Sequence, residues 1–350
     1  MKDLRNLTEA EMQELAKEAG QPAFRGRQLF GWVYKGRTDF REMTNLPEVF
    51  TAWLKENAEL DSLKLLARQK SKTDGTQKFL YGLKDGNAVE TVFMKYKYGN
   101  TVCVSSQAGC RMHCAFCASG INGLVRSLTA GEIISQLLDT ERETGEKISR
   151  IVVMGTGEPF DNYDQISRFI RILHEKDGRN MSSRNITVSS CGLVPGIRKF
   201  SEDFPQVNLA VSLHAPVSSL RDELMPVNHS YPLEELIPAC RAYTEKTGRR
   251  ITFEYALIRG KNDTDEMIGK LIHLLRGMLC HVNLIPLNEV SETGLLTSGR
   301  KRAEEIQKRL EDSGIPATVR RQLGADIDGA CGQLRLKAQK QSGDSSVTVK

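Results

Sequence analysis

Apolar positions change their period along this chain, and the changes mark out its parts. Over the first sixty residues they recur at helical spacing. Thr8, with Glu11 three positions on, forms a capping box ahead of a run to Ala19, and 27–34 and 47–57 carry further apolar stripes. Trp32 and Trp53 fall on those stripes and are expected in a small core. From about residue 61 the period drops to two. Segments 63–68, 77–83 and 89–96 read as strands, punctuated by Asp74-Gly75 and Asp85-Gly86, dipeptides that favour tight hairpin turns.

Beyond Thr101 the two periods alternate. Strand-like runs fall at 102–106, 150–154, 185–189, 207–213, 251–257, 281–286 and 317–321. Helical runs lie between them at 130–144, 163–175, 233–247, 265–276 and 300–313, with a shorter one after Pro195. Gly145, Gly178, Gly248 and Gly314 stand where C-terminal caps are expected. Such alternation predicts an α/β fold: a parallel sheet with helices outside, closed or partly closed as a (β/α) barrel, with its chemistry at the C-terminal strand ends. The chain then divides into a helical accessory domain (1–60), an antiparallel β extension (61–100), a barrel core (101–335) and a Lys-, Ser- and Gly-rich tail (336–350) expected to be disordered.

Composition narrows the function classes. With 27% charged and 39% hydrophobic residues the chain reads as an ordinary globular protein. No apolar run approaches the roughly 20 residues a membrane span needs. Met1-Lys2-Asp3-Leu4-Arg5 lacks the apolar core of a signal peptide, so a cytoplasmic location is expected. The net charge of +5 suits an RNA partner without pointing to one. Eight cysteines in a reducing compartment favour metal or redox chemistry over disulfides. Cys103, Cys110, Cys114 and Cys117 lie close together, whereas Cys191, Cys240, Cys280 and Cys331 are scattered.

Gly109-Cys110-Arg111-Met112-His113-Cys114-Ala115-Phe116-Cys117 directly follows the first barrel strand. Thiolates at C-x3-C-x2-C spacing can hold three irons of a [4Fe–4S] cubane and leave the fourth open to a substrate. A zinc knuckle completed by His113 is the alternative, and the strand-end position disfavours it. Gly155-Thr156-Gly157-Glu158-Pro159 ends the second strand, and Ser189, Ser212-Leu213-His214 and Asn288 end the third, fourth and sixth. The cysteine spacing, with an aromatic before the last thiol, resembles the radical-SAM superfamily signature. That resemblance implies S-adenosylmethionine on the open iron, cleaved to methionine and a 5′-deoxyadenosyl radical. Glu158 would then accept from the cofactor ammonium, with glycines letting the backbone approach.

Further motifs make the resemblance specific: Val89-Glu90-Thr91-Val92, Cys103-Val104-Ser105-Ser106-Gln107-Ala108-Gly109-Cys110, Asn283-Leu284-Ile285-Pro286-Leu287-Asn288 and Ala330-Cys331-Gly332-Gln333-Leu334. With these the chain resembles, over nearly its whole length, the RlmN/Cfr family of dual radical-SAM methyltransferases. The resemblance implies a radical-SAM partial barrel in which Cys110, Cys114 and Cys117 hold the cluster. Gly157, Glu158, Ser189, Ser212, Leu213, His214 and Asn288 would bind S-adenosylmethionine, two molecules per turnover. Cys331 would accept a methyl group, which a radical from the second molecule activates for attack on an adenine carbon. Glu90 would take the adenine proton, and Cys103 would release the RNA adduct through a transient disulfide with Cys331.

An amidine carbon is electrophilic, so transfer of an electrophilic methyl fails there and a radical route is needed. The implied partners are 23S rRNA, tRNA and an electron donor such as flavodoxin or ferredoxin, with a monomer expected and no membrane. Glu158-Pro159 and the run 326–330 look like the C2-methylating branch, whereas Thr156 departs from the Met that many members carry. The C8-methylating branch is the alternative within the family. Outside it stand a radical-SAM activase, which would not need the Cys103/Cys331 pair, and an RNA-binding protein with a structural cluster. For the latter, Arg25, Arg27, Lys35, Arg37 and Arg41 would contact phosphates, although such residues also suit an ordinary solvated face.

Overall fold

The computed structural model describes residues 1–60, 62–287, 294–321, 323, 324, 326, 327 and 334. Asn288, Cys331 and the tail lie outside the described residues. β1 (Lys2–Asp3) pairs in parallel with β2 (Ala58–Glu59), clasping the two ends of the first helical segment. Between them run α1 (Glu9–Glu18), α2 (Phe24–Tyr34) and α3 (Glu48–Asn57). The Thr8/Glu11 capping box opens α1 as expected. These helices do not keep a core to themselves. Leu4, Leu15, Phe30 and Phe50 belong to the same apolar cluster as the barrel residues Val102, Phe169 and Ala317, and Trp32 and Trp53 pack half-buried against it. Arg5, fully buried, pairs with Asp139 (3.1 Å) on α4 (Ala130–Thr144) and fixes this junction.

β3 (Lys64–Lys70), β4 (Gln77–Gly82) and β5 (Ala88–Tyr96) form the expected antiparallel meander. The meander is continuous with the barrel. β5 pairs antiparallel with β6 (Gly99–Val104), Val92 opposite Cys103. From β6 the sheet runs on in parallel through β9 (Arg150–Val153), β10 (Ile186–Ser190), β11 (Asn208–Ser212), β12 (Ile251–Leu257), β13 (Cys280–Pro286) and β14 (Ala317–Val319). The result is ten strands in the order β14-β13-β12-β11-β10-β9-β6-β5-β4-β3. Among the described residues the outer edges, β14 and β3, do not pair, so the barrel is partial. Turns bridge them instead: Gly324 N–H donates to Asp74 (2.8 Å), and Lys72 N–H to Asp326 (2.8 Å).

Helices α5 (Tyr163–His174), α6 (Val194–Asp203), α8 (Leu233–Thr247), α9 (Asp265–Leu275) and α10 (Gly299–Asp312) return the chain between strands. Two elements are additions to the expected alternation. One is the hairpin of β7 (Gln107–Gly109) and β8 (Leu124–Ser127), and the other is the short α7 (Ser218–Leu224). Gly145 and Gly248 cap α4 and α8 in the left-handed conformation (φ 68° and 63°). Gly178 is not a cap, because α5 already ends at His174. A Cβ there would fall 2.5 Å from the Phe30 ring, so close packing of α2 accounts for the glycine. Among the described residues no helix is long and apolar enough to cross a membrane.

Candidate active site

The C-terminal ends of β6 and β9 to β13 open into one cavity of about 340 Å³. The cysteine loop leaves β7 at Gly109, whose φ of 84° and contact with Gly123 O (2.1 Å from an added Cβ) exclude a side chain. Cys110 N–H then donates to Gly123 O (3.0 Å), so the β7–β8 hairpin sets where the loop begins. Ala115 N–H donates to Leu224 O (2.9 Å) and ties its middle to α7. Phe116 packs edge-on against His214, with ring centroids 4.6 Å apart.

Cys110, Cys114 and Cys117 all line the cavity, whereas His113 is exposed and not among the lining residues. That leaves the zinc-knuckle reading without its fourth ligand. Burial pushes the Cys110 thiol up to about 12, with Cys117 and Glu158 adding repulsion, and raises Cys114 for the same reasons. Such thiols ionise when metal cations balance them. Among the described residues no three His, Cys, Asp or Glu side chains converge on a single-ion site. Three soft donors lining one cavity fit an iron–sulfur cluster.

The second strand end supplies a buried carboxylate. Gly157 has φ 107°, and a Cβ on it would sit 2.6 Å from Gln107 Cβ and 2.7 Å from Ser106 Oγ. Glu158 N–H donates to Gln107 Oε1 (2.9 Å). Its carboxylate accepts from Phe160 N–H (2.9 Å) and Cys191 N–H (2.7 Å). Burial raises its pKa, and those two bonds pull the other way. A fixed, desolvated carboxylate on a cavity wall is suited to a ligand cation. Thr156 does not line the cavity. Its N–H bonds Ser105 Oγ (3.0 Å), and its carbonyl accepts from Ser106 and Gln107 N–H.

Ser189, Ser212 and His214 line the cavity, and Leu213 does not. The Leu213 side chain is buried in the core, its N–H donates to Glu254 O, and its carbonyl accepts from Arg221 and Ala215 N–H. His214 has φ 54°, and its Nδ1 accepts from Ala256 N–H (2.9 Å), so the ring proton sits on Nε2. Burial, with Arg221 nearby, holds its pKa down at about 3, which keeps the ring neutral.

Cys103, almost fully buried on β6, lines the same cavity as Cys110, Cys114 and Cys117. Asn288 and Cys331 lie outside the described residues. Of the residues around them, Leu287 and Ile327 line the cavity, and Leu334 packs on Leu80 and Ala88. Glu90 on β5 is buried and is not among the lining residues, whereas its ion-pair partner Lys78 (3.0 Å) is.

Two groups escaped the sequence reading. Gln107 sits inside a quoted motif, yet only the fold shows that it holds Glu158. Arg221 is fully buried and donates to the carbonyls of Cys191 (2.6 Å), Leu213 (3.2 Å) and Ser212 (3.3 Å) and to Asn228 Oδ1 (3.0 Å). An arginine in a short polar helix reads as a solvated side chain, so no sequence signal marks it.

Known proteins resemble the chain throughout. Residues 104–275 match the radical SAM superfamily, and residues 2–60 match the ribosomal RNA large subunit methyltransferase N-terminal domain. A probable dual-specificity RNA methyltransferase RlmN of Caldanaerobacter subterraneus subsp. tengcongensis is 51% identical, over 97% of this chain and 100% of its own. The protein of that description from Clostridium perfringens strain SM101 is 48% identical, over 98% and 99%. The crystal structure of a radical SAM methyltransferase from Sphaerobacter thermophilus superposes with a TM-score of 0.91 at 46% identity, covering 95% of this chain and 99% of that one.

Proposed function

Because the chain belongs to the RlmN family of radical-SAM RNA methyltransferases, enzymes that use a [4Fe–4S] cluster and S-adenosylmethionine, we propose that it methylates C2 of adenosine in two RNAs. One target is an adenosine of the peptidyl-transferase centre of 23S rRNA, and the other is the adenosine 3′ to the anticodon in some tRNAs. The observation that carries this reading is the cavity into which Cys103, Cys110, Cys114, Cys117 and Glu158 open together. The dual specificity in the names of its relatives supports two RNA substrates.

In this reading Cys110, Cys114 and Cys117 hold the cluster and Glu158 holds the cofactor ammonium. Gly157 lets the backbone approach. Ser189, Ser212, His214 and Asn288 hold the remaining polar groups, with Leu213 fixing the backbone between Ser212 and His214. The cluster and its cofactor supply the methyl group and the radical that activates it. Cys331 carries that methyl, whose carbon, once one hydrogen has been removed from it, bonds to the adenine carbon; Glu90 accepts the adenine proton, and the Cys103 thiolate attacks Cys331 sulfur. The carbon–sulfur bond then breaks as the Cys103–Cys331 disulfide forms, its electron pair stays with the adenine-bound carbon, and that carbon takes a proton to become the product methyl. Flavodoxin or ferredoxin supplies electrons, and the enzyme works as a monomer in the cytoplasm.

The test is anaerobic turnover of an rRNA fragment by cluster-loaded protein, followed by nuclease digestion and mass spectrometry against both methyladenosine standards. 2-Methyladenosine is the expected product. 8-Methyladenosine, or no methylated adenosine, would overturn the assignment.

A further inference from the structure

Adjacent strands β4 and β5 pair Lys78 with Val92 and Leu80 with Glu90, so Lys78 and Glu90 are diagonal neighbours on one face. That face belongs to the cavity: Thr76, Lys78, Val92 and Met94 all line it. Lys78 Nζ lies 3.0 Å from Glu90 Oε2, with 0% and 3% of the two side chains exposed. The lysine faces the cavity and the carboxylate lies behind it. A buried ion pair is poor stabilisation, because removing both charges from water costs about as much as their attraction returns. An apolar pair would serve the sheet at least as well here, beside Leu80, Val92 and Met94 on the same face. Stability alone gives no reason for a charge pair at this place.

We propose that Lys78 is a positioning residue for Glu90, holding that buried carboxylate in one orientation behind the cavity wall so that it can take the adenine proton. The proposal rests on the reading of Glu90 as that base. The ion pair ties the Glu90 carboxylate to an ammonium whose own residue lines the cavity, and this fixes where the carboxylate lies. Lys78 makes and breaks no covalent bond in this role and keeps its own protons. The proton leaves the adenine carbon for a Glu90 oxygen, and the electrons of that C–H bond stay in the ring. Lysine's long stem also allows the ammonium to yield as the base ring enters.

The test uses cluster-loaded Lys78→Gln and Lys78→Arg beside Glu90→Gln, with RNA substrate. The glutamine keeps a hydrogen-bond donor without the charge, and the arginine keeps the charge. Lys78→Gln is expected to retain wild-type iron content, cofactor cleavage and methylation of Cys331. Its product rate should fall by about tenfold or more, the effect of losing one close opposite charge, with an unchanged KM for RNA. The protein–RNA adduct should accumulate as in Glu90→Gln, and Lys78→Arg should restore turnover. Normal turnover of Lys78→Gln without adduct, while Glu90→Gln does accumulate it, would overturn this inference and leave the base assignment standing. Normal turnover of Glu90→Gln would remove the base assignment itself. Loss of folded, iron-loaded protein in the glutamine and arginine variants alike would make the pair structural and overturn the proposal.

Discussion

Replacing Arg221 with methionine keeps most of the stem and removes every donor from a guanidinium that binds four acceptors. The carbonyls of Cys191 and Leu213 and Asn228 Oδ1 would each lose a bond of 3.2 Å or less, and Ser212 O a longer one of 3.3 Å. A buried acceptor left without a donor costs about 1–3 kcal/mol. The guanidinium carries its own desolvation penalty, which lowers its pKa, and that penalty vanishes with it. The difference is a net loss of about 3–5 kcal/mol, within the range for breaking a buried charged contact. Against a typical total of about 5–15 kcal/mol, the variant stays folded but is much weakened.

The damage should also reach the cofactor. Cys191 bears both contacts: its carbonyl accepts from Arg221, and its N–H donates to Glu158. Freeing it should loosen S-adenosylmethionine by about ten- to a hundredfold, or about 1.4–2.8 kcal/mol. Arg221→Lys should recover only part of each effect, because one ammonium cannot fork to the carbonyls of β10 and β11 together. Anaerobic denaturant unfolding and calorimetric titration of the cofactor measure the two quantities. A methionine variant that matches wild type in both unfolding midpoint and affinity would refute the reasoning.

Glu158→Gln should weaken S-adenosylmethionine roughly ten- to a hundredfold, the loss of a charge-assisted bond of about 1.5–3 kcal/mol, with iron content unchanged. Burial raises the wild-type Glu158 pKa, and only the ionised form attracts an ammonium. Wild-type affinity should therefore be flat above that raised pKa and fall as pH drops through it, whereas the glutamine variant loses this dependence; calorimetry across pH checks both. Cys331→Ala has no methyl acceptor and should give neither product nor adduct. Cys103→Ala should still attack the base and then stall, leaving ribonuclease-sensitive RNA on peptide 330–334; normal turnover by this variant would refute the two-cysteine assignment.

Much of this protein is legible in its sequence because the relevant signals are local. A period of 3.6 or 2.0 reflects which side of a helix or strand faces the core, and it needs only neighbours in the chain. Hence the alternation beyond Thr101, the α1 capping box and the glycine caps at Gly145 and Gly248 stand as expected. The cysteine motif is equally local, since Cys110, Cys114 and Cys117 fall within one loop and strand ends carry the chemistry of such folds. Gly178 marks the limit of this logic: a cap and a close contact both call for glycine, and only the position of Phe30 decides between them.

What tertiary structure alone decided are encounters between distant segments. Val92 opposite Cys103 joins the meander to the barrel sheet, a pairing that hydrophobic period leaves open. Leu213 and His214 are adjacent in sequence, yet one fills the core and the other lines the cavity, because β11 ends at Ser212 just before them and a left-handed turn at His214 redirects the chain. Lys78 and Glu90 read as two charges on separate strands until register makes them diagonal neighbours behind the cavity wall. Arg221 reads as a surface residue until three strand-end carbonyls close around it. A charge is buried only where the rest of the fold supplies its partners, and those partners are set by the folded chain rather than by the residue's own neighbourhood.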